Sequence, residues 1–361
     1  MTIKILEISA DAGLGGATKH IIVLAKNLKK IGYDPIIISP NGWLINEANK
    51  NKLNFYICNI KSIFDLSSIF ALHKIIRKEK PDIIHLHNIR AGFIGILASI
   101  NLKIPIIYSE HLYNFYYHLK SKIREKLQLM ILFFILRKAN LVVTPSKAVK
   151  FFLTKKLKID SGKIEVIANG LEDLKIKNKK EKFKIGFIGG INCCKGLEYL
   201  IMAMYRLNLR FKNLKLEIIG EGPLKKEMLE KADCFRDKVI FLGKQDNVYQ
   251  FLKNWKVLIV PSVSESFGLV VLEAYILKKP VVATKVGGLP EIVLDKKTGI
   301  LVSPKRPGEL AKAIGYILDN PKIAHSMGEA GRKLFEHKFR AKIMAADFNY
   351  FFKNILNEAK N

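Results

Sequence analysis

Two glutamates, Glu265 and Glu273, stand eight residues apart in the segment SESFGLVVLEAYI. The run VLIVPS before them reads as a strand, and a helix is expected from near Gly268, with Leu269, Leu272 and Ile276 on its apolar face. Eight residues at a helical rise span about 12 Å. That is too far for the carboxylate pair of a retaining glycosidase, roughly 5–5.5 Å apart, but it suits the two ends of one long ligand. Between the carboxylates lies a helix N-terminus, where the N–H groups of Phe267, Gly268 and Leu269 favour an anion such as a diphosphate. A carboxylate accepts two hydroxyl hydrogen bonds from a ribose, so the order carboxylate, N–H groups, carboxylate fits sugar, diphosphate, ribose. Taken alone, the pair is equally compatible with solvated charges at a helix end.

A second candidate is the glycine-rich turn DAGLGGATKH, residues 11–20, after the apolar run IKILEIS. A dinucleotide fingerprint needs a third glycine where Thr18 stands, and a carboxylate at the end of the second strand, which here runs into Ser39-Pro40-Asn41-Gly42. Both features fail. Two readings stay open: a plain strand–helix turn, or a turn that lets a substrate approach backbone N–H groups through Gly15 and Gly16. His85 and His87 alternate on a strand and so share a face, with His87 nearer the end where ligands bind. No second histidine sits at metal-ligand spacing and no Asp-x-Asp occurs, so no bridging divalent metal is indicated. Four cysteines, Cys58, Cys193, Cys194 and Cys234, form neither a metal set nor a disulfide framework, and reduced thiols are expected.

The elements that position these residues alternate. Short β-rich runs (PIIIS, DIIHLH, PIIYSE, LVVTPS, IEVIAN) are separated by helical patterns near 66–80, 91–100 and 120–138, and the first helix carries Ile21, Leu24, Ala25, Leu28 and Ile31 on one face. The charged stretch 172–184 interrupts the pattern and reads as a linker. The alternation then restarts with KIGFIGG and a helix bearing Leu197, Leu200, Ile201 and Met204. The expected architecture is α/β: two tandem Rossmann-like, doubly wound domains, 1–171 and 185–339, facing across a cleft, with a C-terminal helix over about 340–361 that is a candidate to pack back on the first.

The 361 residues carry a formal charge of +29, which favours anionic partners. Lysine far outnumbers arginine, and arginine supplies the bidentate contacts of many nucleic-acid readers, so no nucleic-acid partner is expected. The start shows no signal-peptide pattern, and the longest apolar run, Leu129–Leu136, falls well short of the ~20 residues that span a bilayer. A cytoplasmic protein is expected, at most peripheral at the inner face of the membrane.

With these residues in view, the chain resembles a known family. ESFGLVVLEA is similar to the E-x7-E motif of the family 4 retaining glycosyltransferases, which have the GT-B fold. The resemblance covers essentially the whole chain. GLGGATKHIIVLAKNLKKIGYDP looks like the family's first loop and helix, and PDIIHLHN, YSEHL, VIANGLE, KGLEYLIMAM, LEIIGEGPLKKEM, PVVATKVGGLPEIV and TGILVS fall in its order and spacing. It implies that Glu273 holds the ribose, that Glu265 lies near the donor sugar, and that the N–H groups of Phe267, Gly268 and Leu269 contact the diphosphate. It also implies that Gly15 and Gly16 close on the donor phosphate and sugar and that His111 reaches toward the transferred sugar. After the first strand of its second domain the family usually carries an arginine and, five residues later, a lysine, both on the diphosphate. Lys195 is kept, whereas Gly190 stands where the arginine belongs.

The implied activity moves a sugar from a nucleotide diphosphate-sugar, UDP- or GDP-linked, to a glycan or lipid-linked acceptor in cell-surface polysaccharide or glycolipid synthesis. No cofactor or metal is expected. An epimerase of the same fold and a non-catalytic sugar- or nucleotide-binding protein are the rivals. On the acceptor side, Lys120, Lys122, Arg124 and Lys126 precede a strongly apolar helix. This is either a core helix with a basic first turn or a surface that sits on anionic lipid.

Overall fold

The computed structural model describes residues 2–112, 121–176 and 183–358. The chain folds into two compact units, Met1–Glu172 with Ala341–Asn361, and Asp173–Arg340.

In the first unit, β1 (Ile3–Ser9), α1 (Gly16–Lys30), β2 (Tyr33–Ser39), α2 (Trp43–Lys50), β3 (Asn54–Ile57), α3 (Leu66–Glu79), β4 (Ile83–His87), α4 (Ile89–Ala98) and β5 (Ile106–Ser109) alternate strictly, followed by α5 (Lys122–Lys138), β6 (Leu141–Thr144), α6 (Lys147–Lys156) and β7 (Ile164–Val166). The strands form one sheet in the order β3-β2-β1-β4-β5-β6-β7, and every pair is parallel. Strands covered by helices on both faces read as continuous apolar runs, which is why they were visible in the sequence.

The second unit repeats the scheme with β8 (Lys184–Ile188), α7 (Leu197–Arg210), β9 (Lys215–Ile219), α8 (Lys225–Lys231), β10 (Val239–Phe241), α9 (Tyr249–Leu252), β11 (Val257–Val260), α10 (Leu269–Ile276), β12 (Val281–Thr284), α11 (Leu289–Ile292), β13 (Gly299–Val302), α12 (Pro307–Asp319) and α13 (Pro321–Lys338). Its six-stranded parallel sheet runs β10-β9-β8-β11-β12-β13. The last helix, α14 (Ala341–Glu358), returns to the first unit, where Phe348 and Phe352 are fully buried with Leu24, Leu28 and Ile5. Each such phenylalanine contributes about 1.5–3 kcal/mol.

Adjacent carboxylates mark the boundary. Glu172 accepts from Asn27 Nδ2 at 2.9 Å and pairs with Lys30 in the first unit, while Asp173 pairs with Arg332 and Arg340 in the second. Of the stretch read as a linker, residues 177–182 lie outside the described residues, as does Lys120. The helix expected from 120 begins at Lys122, where the Ser121 hydroxyl caps it by accepting from the Arg124 N–H.

Two expectations need correction. Ile31 is 49% exposed, because α1 ends at Lys30 and Ile31 is its C-cap. The helix carrying Glu273 has no polar face: every residue of α10 except Val270 is buried, Glu273 included. Among the described residues no helix is long and apolar enough to cross a membrane.

Candidate functional site

In a doubly wound sheet, ligands gather beyond the carboxyl ends of the strands where the strand order reverses. In the second unit that point lies between β8 and β11, which pair in parallel. Lys195 lies in the loop after β8 and Glu265 in the loop after β11, seventy residues later, and Lys195 Nζ donates to Glu265 Oε2 at 2.7 Å. The Cys194 carbonyl accepts from the N–H groups of Val263 (2.7 Å) and Ser264 (3.1 Å), tying the two loops together through the backbone. The Ser262 hydroxyl donates to the same Glu265 oxygen at 3.2 Å. The Lys195 side chain keeps 29% of its surface exposed and that of Glu265 11%, so the pair is anchored and still open to a ligand.

A third loop completes the support. The Gly288 N–H donates to the Glu265 carbonyl at 3.2 Å, and a Cβ at Gly287 would sit 1.7 Å from that carbonyl oxygen. Only glycine fits, which gives the KVGGLPEIV segment a physical role: it holds the backbone of Glu265. Gly268, the N-cap of α10, has φ +105, a conformation that favours glycine, and turns the chain from loop into helix. Phe267 is 3% exposed, its ring edge-on to Phe339, and Leu269 is 9% exposed. Both side chains are therefore structural, and their chemical contribution is the N-terminal backbone of α10.

Glu273, 2% exposed, lies one turn into the helix. Burial, and then the Glu273 charge, push the Tyr249 phenol well above its usual range, so Tyr249 lies within electrostatic reach of this carboxylate. Gly190, in the arginine position, has no positive φ; a Cβ there would meet Asn192 Nδ2 at 3.1 Å and otherwise only the Glu221 carbonyl at 3.9 Å. Cys193 is exposed and Cys194 partly buried, both free thiols. Burial and the neighbouring Cys193 push the Cys194 thiol up to about 11, which disfavours a reactive thiolate.

In the first unit the strand order reverses between β1 and β4. The glycine loop follows β1, and Thr18 organises it: its hydroxyl donates to the Gly13 carbonyl at 2.7 Å and accepts from the Gly15 N–H at 3.0 Å. Gly15 is extended (φ −164), and a Cβ on Gly13 would meet nothing within 4 Å, one on Gly15 nothing nearer than Thr18 Oγ1 at 3.9 Å. Neither glycine is required by the backbone or by packing, which removes the plain tight turn as a reason for these two. Gly15 and Gly16 are both exposed.

His111 follows β5 and is partly buried. Its Nε2 lies 3.1 Å from His87 Nδ1. His85 and His87 do share a face, with ring centroids 4.1 Å apart, but both are 0% exposed. His87 thus meets His111 and not an open surface. Its Nε2 donates to Glu7 Oε2 at 2.7 Å, and the ring of His20, from α1, lies tilted beside that of His111 with centroids 4.9 Å apart. Sequence spacing offered no metal set, yet among the described residues the fold gathers two groups, in each of which the ligand atoms lie within 4.8 Å of one another: His20, His87 and His111, and Glu7, His85 and His87. Glu7 and His20 were missed. The one legible signal was a carboxylate in the middle of the apolar strand IKILEIS, where burial demands partners.

The family model for glycosyl transferases group 1 matches residues 171–334, and that for Glycosyltransferase Family 4 matches residues 14–173. An uncharacterized glycosyltransferase of Methanocaldococcus jannaschii is 30% identical over 335 residues, covering 90% of this chain and 91% of the relative. The capsular polysaccharide biosynthesis glycosyltransferase CapM of Staphylococcus aureus is 26% identical, covering 94% and 98%. Among solved structures, HepE of Anabaena in complex with UDP and glucose matches with a TM-score of 0.86 at 20% identity, over 97% of this chain and 99% of that one. TarM matches with a TM-score of 0.84 at 14% identity, over 98% and 99%.

Proposed function

The chain belongs to the family 4 glycosyltransferases, and from that membership we propose that it is a retaining enzyme moving a sugar from a nucleoside diphosphate-sugar to a glycan or lipid-linked acceptor. The observation that carries the reading is the Lys195–Glu265 contact at 2.7 Å beside the N-terminus of α10. It supports the reading because a cation, a carboxylate and helix N–H groups together are the kind of set that binds a sugar diphosphate. Glu273 holds the ribose, Lys195 and the N–H groups of Phe267, Gly268 and Leu269 hold the diphosphate, and Glu265 faces the sugar. Gly15 and Gly16 close on the sugar-phosphate, and His111 serves the transferred sugar.

In the reaction the anomeric C–O bond to the diphosphate breaks, and a C–O bond to the acceptor oxygen forms on the same face. The acceptor proton passes to a departing phosphate oxygen. Negative charge grows on the leaving group, so fixed donors and Lys195 act most strongly in the transition state, and no metal is assigned a part. CapM's name motivates assignment to cell-surface polysaccharide synthesis. A thermal-shift panel of UDP, GDP, ADP, NAD and an oligonucleotide tests the reading. One nucleoside diphosphate is expected to raise Tm, and a shift with NAD alone would overturn it.

Gly15→Ala is expected to leave Tm unchanged, because a Cβ there has room, while lowering the transfer rate. Equal rates in the two proteins would remove the loop from the donor site.

The acceptor surface is assigned to α5. Ile123 (83% exposed), Leu127 (49%) and Met130 (60%) line one side of it, interleaved with exposed Lys122, Arg124 and Lys126. Apolar side chains among cations suit an anionic bilayer, where each surface cation adds about 1 kcal/mol. Flotation with vesicles containing anionic lipid at physiological salt is expected to recover the protein, and Ile123→Glu with Leu127→Glu to release it. Absence of wild-type binding refutes the membrane assignment.

A further inference from the structure

Cys193 and Cys194 are adjacent thiols in the loop that carries Lys195, and the proposed reaction uses neither. They are the middle residues of a four-residue turn. The Lys195 N–H donates to the Asn192 carbonyl at 3.2 Å, and the Cys194 N–H donates to Asn192 Oδ1 at 3.0 Å. Cys193 is exposed and Cys194 partly buried; both are free, and their side chains lie within hydrogen-bond reach of each other. Of the remaining cysteines, Cys58 is buried in the first unit, and the Cys234 thiol donates to the Tyr205 hydroxyl at 3.2 Å.

The turn has no slack. Before it, the Ile191 N–H donates to the Glu221 carbonyl at 2.9 Å. Within it, the Cys194 carbonyl accepts from Val263 and Ser264, on the loop that bears Glu265. After it, Gly196 has φ +63, and a Cβ there would sit 2.1 Å from the Pro261 carbonyl oxygen. A change in the backbone between Cys193 and Cys194 therefore passes to Lys195, whose Nζ lies 2.7 Å from Glu265 Oε2.

Adjacent Cα atoms are about 3.8 Å apart across a trans peptide, short of the roughly 4.4–6.8 Å that a disulfide usually spans. A disulfide between these neighbours closes a small ring through their shared peptide. It forms only when the backbone on either side turns, and its strain leaves it easily reduced. The Cys194 N–H belongs to that peptide, so ring closure takes it from Asn192 Oδ1.

We propose that Cys193 and Cys194 are an oxidative modification site: a hydroperoxide joins the two thiols as a disulfide, and the reshaped turn withdraws Lys195 from the diphosphate. Cys193, being exposed, reacts first. Its sulfur attacks one peroxide oxygen, the O–O bond breaks, and Cys193 sulfenic acid forms with release of water or an alcohol. The Cys194 sulfur then displaces the sulfenic oxygen as water, and the S–S bond forms. Two electrons pass from the thiols to the peroxide, and both thiol hydrogens leave on its oxygens. Burial and the neighbouring Cys193 keep the Cys194 thiol protonated, which suits it to the second step rather than the first. The part concerning Lys195 rests on the glycosyltransferase reading; the ring does not.

The test treats the full chain with hydrogen peroxide, alkylates it and digests it with trypsin. Cleavage after Lys184 and Lys195 puts both thiols on the peptide Ile185–Lys195. That peptide is expected to be unalkylated and lighter by two hydrogens, and dithiothreitol before alkylation to return it to the doubly alkylated form. Transfer is expected to fall about a hundredfold in the oxidised protein, the scale of losing one fixed charge-stabilising donor, and to recover with dithiothreitol. Cys193→Ser, at an exposed position, is expected to keep its transfer through the same treatment. Both cysteines still alkylated after peroxide overturns the proposal, and that reading needs no variant to fold. So do a sulfinic acid at Cys193 without ring closure, a disulfide to a second chain, or a ring that leaves transfer intact. Equal loss of transfer in peroxide-treated Cys193→Ser overturns it too. The ring with no transfer from any nucleotide sugar, reduced or oxidised, upholds the modification site and refutes the functional reading together with the part concerning Lys195.

Discussion

Glu273→Ala is expected to abolish detectable binding of the nucleoside diphosphate that stabilises the wild type, and transfer with it. The carboxylate is 2% exposed on a helix buried almost all round, so it is fixed before the ligand arrives. Each hydrogen bond to a charged group contributes about 1.5–3 kcal/mol. Losing two to a ribose weakens binding roughly a hundredfold or more. Glu273→Gln separates charge from shape, since it preserves volume and one acceptor, and is expected to fall between wild type and alanine. Titration calorimetry with the nucleoside diphosphate makes the measurement. Wild-type affinity in Glu273→Ala would take the ribose out of this site. The Tm of both variants is read alongside, so that a loss of fold is told apart from a loss of ribose contacts.

Lys195→Ala is expected to lower kcat by about 10²–10³-fold, the scale of losing one fixed charge-stabilising donor from a reaction that develops an oxyanion. The loss should sit near the top of that range, because Gly190 leaves Lys195 without the arginine that shares its task in the family. The same absence supplies a control. Gly190 has an ordinary φ, and the nearest obstacle to a Cβ is the Asn192 side-chain amide at 3.1 Å, which can give way. Gly190→Arg in the Lys195→Ala background is therefore expected to recover part of the lost rate. If Lys195 served only to hold Glu265, to which it donates at 2.7 Å, the arginine would restore nothing, and Glu265→Gln would match Lys195→Ala in both rate and Tm.

Much of the fold was legible because it is local. Strands buried on both faces must be apolar and short, and helices between them must carry a 3.6-residue stripe. Leu197, Leu200, Ile201 and Met204 are all buried as that period requires. The motif around α10 was legible for the same reason: Gly268, the helix start and Glu273 are fixed by adjacent residues. Where local reading failed, at Ile31 and at α10, buried at every residue but Val270, the outcome depended on where a helix ends and on what covers it.

By itself, then, the sequence determined the alternation of elements, the helix start at Gly268, the spacing from Glu265 to Glu273 and the resemblance that names the chemistry. Only the tertiary structure decided which distant residues meet. Lys195 reaches Glu265 because β8 and β11 are neighbours, and Glu7 reaches His87 because β1 lies beside β4. The physical reason is strand order. Periodicity fixes which face of a strand a side chain occupies, but the neighbour across that face follows from how the whole sheet is wound, and a buried carboxylate such as Glu7 is tolerable only once that winding has brought its histidines alongside.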